Sequence, residues 1–441
     1  MLAKVGHFPH HQPECPIVDP VQLGITENKQ SVIDSSKVYT CSVEELIKQK
    51  LDSLTDTTDG FYVLDLGEVY RQHCLWQSLL PRIKPYFAIK ANPDLRIITL
   101  LGSLGVGFDC ASKGEIKSVL SCGVEPCRII YANTCKEPSH LRFAGQNKVH
   151  KMTFDSADEL YKIKQHSPNA ELLLRILPDD SRSMLALGHK FGAPVSQCEE
   201  LLQTAKDLEL NVVGISFHVG TGCKDEMAFV DAAERAKQVF DIAKSLGFNF
   251  SLLNVGGGFP TDDLKVTTSF ERIAAVLNPA LDRLFPPNVE VMAEPGRFYV
   301  ASAFTLCLNV IGRKAIDAKQ NKYSYFVNDG THGSFKSIVC GFPVLNPEVL
   351  MKKGEFLYNK DLYPVYPATI WGPTCDADDR LAVDVPLPLL DIGDWLVWKC
   401  MGAYSTAKSS EFNGFKNPSI LYTNTSYEEM LNSYVPCHLF I

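Results

Sequence analysis

Lys90 closes an apolar run, Tyr86-Phe87-Ala88-Ile89, that would bury the stem of its side chain and hold the amine in a partly desolvated mouth. Desolvation disfavours an ammonium, so the run predicts a lowered pKa and more neutral amine to attack an aldehyde. A surface lysine just past a strand is the plainer reading of Lys90 alone. Further along, Gly256, Gly257 and Gly258 form a turn whose backbone N–H groups can approach an anion, and Arg297, three residues after Glu294, can add a cation. No Lys-Ser/Thr pair follows the glycines, so a nucleotide P-loop is the poorer reading of a triplet that is often only a tight turn. Glu294 beside such a site is repulsive unless the ligand carries a heteroaromatic nitrogen that must stay protonated, and pyridoxal phosphate (PLP) is that kind of ligand. Held as a pyridinium, the ring can take the electron pair released when a bond at a substrate α-carbon breaks. His218 can stack on such a ring or carry a proton, or be a satisfied histidine at a strand end.

These residues need a scaffold that brings them together. Eight short apolar runs, at 86–91, 106–110, 128–132, 151–154, 171–176, 212–218, 251–255 and 290–293, alternate with segments of helical period at 95–104, 115–121, 157–165, 197–207, 227–246 and 270–284. The alternation predicts an α/β fold, a closed parallel (β/α)8 TIM barrel with its chemistry at the C-terminal ends of the strands. There stand Lys90, Asp109, Asn133, Asp155, Arg175, His218, the glycine triplet, Glu294 and Arg297. Beyond the barrel, 323–328, 364–371 and 395–399 read as strands between Gly, Pro and Asp turns, so the last third is mostly β. An all-β unit must cover its edges, and strands from the first sixty residues are expected to complete it. The expected organisation is an extension over 1–34, strands joining the β domain over 35–65, the barrel over 66–303 and the C-terminal β domain over 304–441.

A chain of 441 residues, 45% hydrophobic and 21% charged, has the composition of a soluble globular protein of two domains. A net charge of -8 without a basic run argues against a nucleic-acid partner, because phosphate-backbone binding draws most of its affinity from Lys and Arg. No stretch approaches the roughly 18 consecutive apolar residues of a membrane span, and residues 1–16 lack both signal and transit patterns, so a cytoplasmic protein is expected. The 14 cysteines have no metal-type spacing, which implies reduced thiols and no metal site. His7, His10 and His11, in a Pro-rich leader, read as a solvated tail.

The motifs Pro85-Tyr-Phe-Ala-Ile-Lys-Ala-Asn92, Gly107-Phe-Asp-Cys-Ala-Ser-Lys113, Ser216-Phe-His-Val-Gly-Thr-Gly222, Gly256-Gly-Gly-Phe-Pro260, Ala293-Glu-Pro-Gly-Arg297, Trp371-Gly-Pro-Thr-Cys-Asp376 and Phe412-Asn-Gly-Phe415 resemble those of the eukaryotic ornithine decarboxylase family, over about 61–414. The resemblance implies the alanine racemase/ornithine decarboxylase-like pairing of a PLP barrel with a β domain, a homodimer with shared active sites, and decarboxylation of an amino acid. It implies that Lys90 carries PLP, that Glu294 pairs with the ring nitrogen and that His218 stacks on the ring. It places Thr221, Gly257, Gly258, Arg297 and Tyr404 about the phosphate, with Asp109 and Arg175 in support. Cys375 would deliver a proton to the α-carbon, and Asp376 would face the distal amine of a diamino acid, both across the dimer interface.

Two residues depart from the family pattern. Gly341, in Val339-Cys-Gly-Phe342, stands where a Tyr-Asp-His stretch supplies the second substrate carboxylate, and His332 stands where Tyr is usual. The expected substrate is therefore an amino acid other than ornithine, in specialised amine or alkaloid synthesis instead of bulk polyamine supply, unless another carboxylate such as Asp379 substitutes. A silent regulatory paralogue like the antizyme inhibitors is the alternative. A racemase would need a second base where this chain offers Cys375.

Overall fold

The computed structural model describes residues 34–54, 59–261, 267–317, 319, 321–343 and 345–425. The histidine cluster at His7, His10 and His11 lies outside the described residues. Eight parallel strands, Ile83–Ala88, Gly107–Cys110, Ile129–Tyr131, Lys151–Phe154, Glu171–Arg175, Asn211–Ser216, Leu252–Asn254 and Glu290–Ala293, pair in chain order, and the last joins the first to close a barrel. They are apolar almost throughout because both of their faces are covered. On Glu171–Arg175, Leu172 and Leu174 belong to the main core under the helices, whereas Leu173 joins Tyr86, Ile130, Leu252 and Met292 in a separate cluster inside the barrel. Two strands approach so closely at Gly214 that a Cβ there would lie 1.8 Å from the Leu252 carbonyl oxygen.

The outer helices Leu95–Ser103, Lys113–Ser121, Ala157–His166, Val195–Asp207, Met227–Ser245 and Phe270–Leu284 stand where the apolar periodicity puts them. Asp94, Ser112 and Ser269 cap three of them by accepting first-turn N–H groups. Helix Pro138–Gln146 has no counterpart in the sequence reading. It buries only Leu141 and Ala144, too few apolar positions to show a period.

A second, mostly β unit begins with Phe304–Asp317, which pairs antiparallel with Phe61–Asp65, Lys322–Val327 and Trp395–Trp398. Tyr366–Trp371 and Arg380–Leu387 extend the sheet at one side, and Ser419–Thr423 and Val38–Tyr39 at the other. Where 35–65 reads as strands, the structure inserts helix Val43–Asp52, whose Leu46, Ile47 and Leu51 pack on Phe61, Val63, Trp395 and Val397. Arg380–Leu387 escapes the sequence reading because it carries Pro386 and an Asp384 at φ 53°, neither typical of a strand. Among the described residues, no helix is long and apolar enough to cross a membrane, and no cluster of three His, Cys, Asp or Glu could hold a metal ion.

Candidate active site

The first barrel strand ends two residues before Lys90, which rides on a 3-10 turn, Ile89–Ala91, and not on the strand itself. That turn is laced to the second domain. The Tyr404 N–H donates to the Ala91 carbonyl at 2.9 Å, and the buried Asn92 amide donates to the Gly402 carbonyl at 2.9 Å. Tyr404 adopts φ 58°, a backbone conformation that non-glycine residues keep only where their surroundings require it.

The Lys90 ammonium meets the fully buried Asp109 carboxylate, whose second oxygen has no partner among the described residues. Burial disfavours the ammonium, but Asp109, and after it Glu294 and Tyr404, outweigh that penalty, so the Lys90 pKa is raised. This corrects the expectation of a lowered pKa. The sequence shows the apolar stem of Lys90 and not the carboxylates that the barrel brings to its tip.

Glu294 follows the last barrel strand and faces Asn254, which ends the neighbouring one. The Asn254 amide donates to Glu294 Oε1 at 2.6 Å, and its Oδ1 accepts from the Gly256 N–H at 2.9 Å. Asn254 therefore ties the carboxylate to the glycine turn. Burial first and Asp109 second push the Glu294 carboxyl up to about 7, against the pull of Lys90 and of the Asn254 hydrogen bond. His218 accepts the Gly220 N–H on Nδ1 at 3.1 Å, which leaves the proton of the neutral ring on Nε2. Burial, then Arg175 and Lys90, hold His218 well below the usual imidazole range, so it is neutral. Arg175 lies over the Phe191 ring at 4.7 Å.

Lys90, Asp109, Arg175, His218, Thr221, Glu294, Arg297 and Tyr404 all line one cavity of about 350 Å³, within the range of small-ligand pockets. Ser337, Phe342, Tyr404 and Lys408 form the wall contributed by the second domain. Gly257 and Gly258 stand behind His218 and Gly220. A Cβ on Gly257 would lie 2.9 Å from His218 Nε2, and one on Gly258 would lie 2.4 Å from the Gly220 carbonyl oxygen. Three features fit PLP: an amine in the wall of an open cavity, a carboxylate ready for a ring nitrogen, and a glycine cradle with a nearby guanidinium for a phosphate.

Cys375 and Asp376 are not in this cavity. Cys375 is exposed, with Sγ 3.2 Å and its N–H 3.1 Å from Asn413 Oδ1. Asp376 Oδ2 lies 2.6 Å from His332 Nε2, and the His332 ring stacks on Phe412 with centroids 4.3 Å apart. The Asp378 N–H, followed by His332, holds the Asp376 carboxyl below the usual range.

Asp379 is no substitute carboxylate. It is buried and accepts four hydrogen bonds, from Thr331 N–H and Oγ1 at 2.7 and 2.9 Å and from Thr374 N–H and Oγ1 at 3.1 and 2.6 Å. Asp379→Ala strands those donors, so denaturant unfolding is expected to show a loss of about 2–4 kcal/mol, the size expected of several lost buried partners. An unchanged midpoint would contradict this bracing role.

The sequence reading missed Asn254, Phe191 and Lys408. A polar residue ending the apolar run 251–255 is a usable signal for Asn254. Lys408 has none, because only the fold brings the second domain over the barrel mouth.

The family described as "Pyridoxal-dependent decarboxylase, pyridoxal binding domain" matches residues 66–301. The chain is 47% identical over 392 residues to the ornithine decarboxylase of Schizosaccharomyces pombe, covering 88% of this chain and 89% of that protein. It is 45% identical to antizyme inhibitor 2 of Xenopus laevis, covering 90% and 88%. The solved Paramecium bursaria Chlorella virus arginine decarboxylase bound to agmatine superposes with a TM-score of 0.80 at 35% identity, over 86% of this chain and all of that one. With a matching barrel, a cavity suited to PLP and relatives of this closeness, the chain belongs to the ornithine decarboxylase family and is a PLP-dependent amino-acid decarboxylase.

Proposed function

We propose that this decarboxylase works as a homodimer in the cytosol and removes carbon dioxide from an amino acid other than ornithine. The observation that carries the substrate reading is the cavity wall from the second domain. Gly341, next in sequence to the lining residue Phe342, stands where the family pattern expects a carboxylate, and Ser337, Phe342, Tyr404 and Lys408 supply none. The buried free thiols of Cys110, Cys198, Cys223 and Cys307 suit a reducing compartment.

When bound, PLP supplies the sink for the electron pair released from the bond between the α-carbon and its carboxylate. The rest belongs to this chain. The Lys90 amine would hold the cofactor covalently, and the Asp109 carboxylate beside it steadies the ammonium charge. Glu294 would accept a hydrogen bond from the ring nitrogen, and Asn254 fixes the carboxylate. Neutral His218 would cover the cofactor ring, while Thr221, the N–H groups of Gly257 and Gly258, Arg297 and the Tyr404 hydroxyl would receive the phosphate, with Arg175 in support. Cys375 of the other subunit delivers a proton to the α-carbon, and Asp376 beside it faces the substrate's side chain.

Loss of one partner of a charged hydrogen bond costs about 1.5–3 kcal/mol, roughly ten- to a hundredfold in kcat/KM. Ornithine is therefore expected to be a poor substrate in a carbon dioxide release screen against lysine, arginine, leucine and larger aminoalkyl amino acids, and Gly341→Asp is expected to improve it. Ornithine as the best substrate, with no gain from Gly341→Asp, overturns the reading. Similarity to antizyme inhibitor 2 favours a second reading, a silent regulatory paralogue. Purified protein that binds no PLP and shows no visible absorption band would establish that one instead.

A further inference from the structure

The cavity wall carries a charge that the decarboxylation machinery does not use. Lys408, in the 3-10 turn Thr406–Lys408, lines the cavity with its ammonium 5.1 Å from the centre of the Tyr404 ring. Among the described residues it has no ion pair. Among the described residues, the carboxylates lining the cavity are Asp109, held by Lys90, and Glu294, held by Asn254. Both sit with Lys90 on the barrel side. On the other side Ser337 and Phe342 line the wall, and the exposed Gly341 between them in sequence brings no side chain to it. Asp376, the remaining carboxylate offered to a side-chain cation, already lies 2.6 Å from His332 Nε2. A substrate ammonium would thus find no carboxylate at Gly341, would displace His332 to reach Asp376, and would share the cavity with Lys408.

We infer that Lys408 selects a substrate whose side chain ends in a neutral or anionic hydrogen-bond acceptor and rejects one ending in an ammonium. The selection rests on the reading of this cavity as the site of amino-acid decarboxylation. Lys408 and its partner form no covalent bond. A carboxamide or carboxylate oxygen accepts from the Lys408 ammonium, a charge-assisted hydrogen bond that gains from the apolar faces of Phe342 and Tyr404 beside it. An ammonium in the same place is repelled.

The test compares four amino acids whose side chains share a three-carbon skeleton on the PLP-loaded enzyme: ornithine, glutamine, glutamate and norvaline. Binding is followed by calorimetry and carbon dioxide release by kcat/KM. Glutamine or glutamate is expected to exceed both ornithine and norvaline at least tenfold. Lys408→Gln is expected to remove that advantage over norvaline in KM and in binding, and Lys408→Glu to reverse the order of glutamate and ornithine by more than a hundredfold. Lys408 is exposed, and an unchanged melting temperature in both variants separates selectivity from misfolding. If norvaline is best and both variants keep the wild-type order, Lys408 selection is overturned while decarboxylation of an amino acid other than ornithine stands. If ornithine is best in the wild type, both fall.

Discussion

Lys90→Ala is expected to abolish covalent cofactor and to lower carbon dioxide release by on the order of 10^4-fold or more, the scale seen when an enzyme loses its covalent group. The cavity explains why nothing rescues it. Lys190 and Lys408 are the other lysines in its wall, and both lie at its exposed rim, beside Phe191 and Tyr404. Neither is on the turn clasped between barrel and second domain. Borohydride reduction followed by peptide mapping reads the outcome directly. The wild-type protein is expected to trap PLP on the peptide containing Lys90, and the variant to trap none. Cofactor found on another lysine of the variant would show that the attachment site is elsewhere. Asp109 loses its ion-pair partner in the variant, so Asp109→Asn in the same background is expected to recover part of any stability lost.

Mixing two inactive variants, Lys90→Ala and Cys375→Ala, is expected to restore activity. In a twofold-symmetric dimer whose sites each take Lys90 from one subunit and Cys375 from the other, a hybrid contains one site with both residues intact and one with neither. Random exchange makes about half of the dimers hybrid, so roughly a quarter of wild-type activity returns. The motive is structural: Cys375 and Asp376 stand outside the cavity of their own chain, on an exposed surface with Phe412 and Phe415. No recovery after labelled subunits are shown to exchange would mean that each chain completes its own site.

The barrel was legible because parallel strands buried on both faces leave continuous apolar runs, and the helices between them leave a 3.6-residue period. The gathering of Lys90, Asp109, Arg175, His218, Glu294 and Arg297 at one cavity was legible for the same reason: each stands at or shortly after the C-terminal end of such a run. The second domain was less readable. Its longest strand, Phe304–Asp317, changes from buried to exposed halfway along, so no single pattern describes it. Charge interactions across the cavity were not legible at all. The Lys90 pKa moves opposite to what its neighbours in sequence imply, because Asp109 reaches it through the pairing of the first two barrel strands and Glu294 through the closure of the last strand on the first. His332 was visible as an unusual residue, but its contact with Asp376 joins positions 44 apart in the chain.

The two hydrogen bonds that lace the Lys90 turn to residues 402 and 404 have a consequence for exchanging parts between relatives. The barrel alone does not fix where its reactive amine points, because part of the turn's support comes from the other domain's backbone. A chimera that joins this barrel to a relative's second domain would inherit the lysine with an altered aim unless the loop from Cys400 to Ser405 travels with it. Residues 85–92 and 400–405 form one inheritable unit split across the chain, and a graft that respects only the domain border divides it.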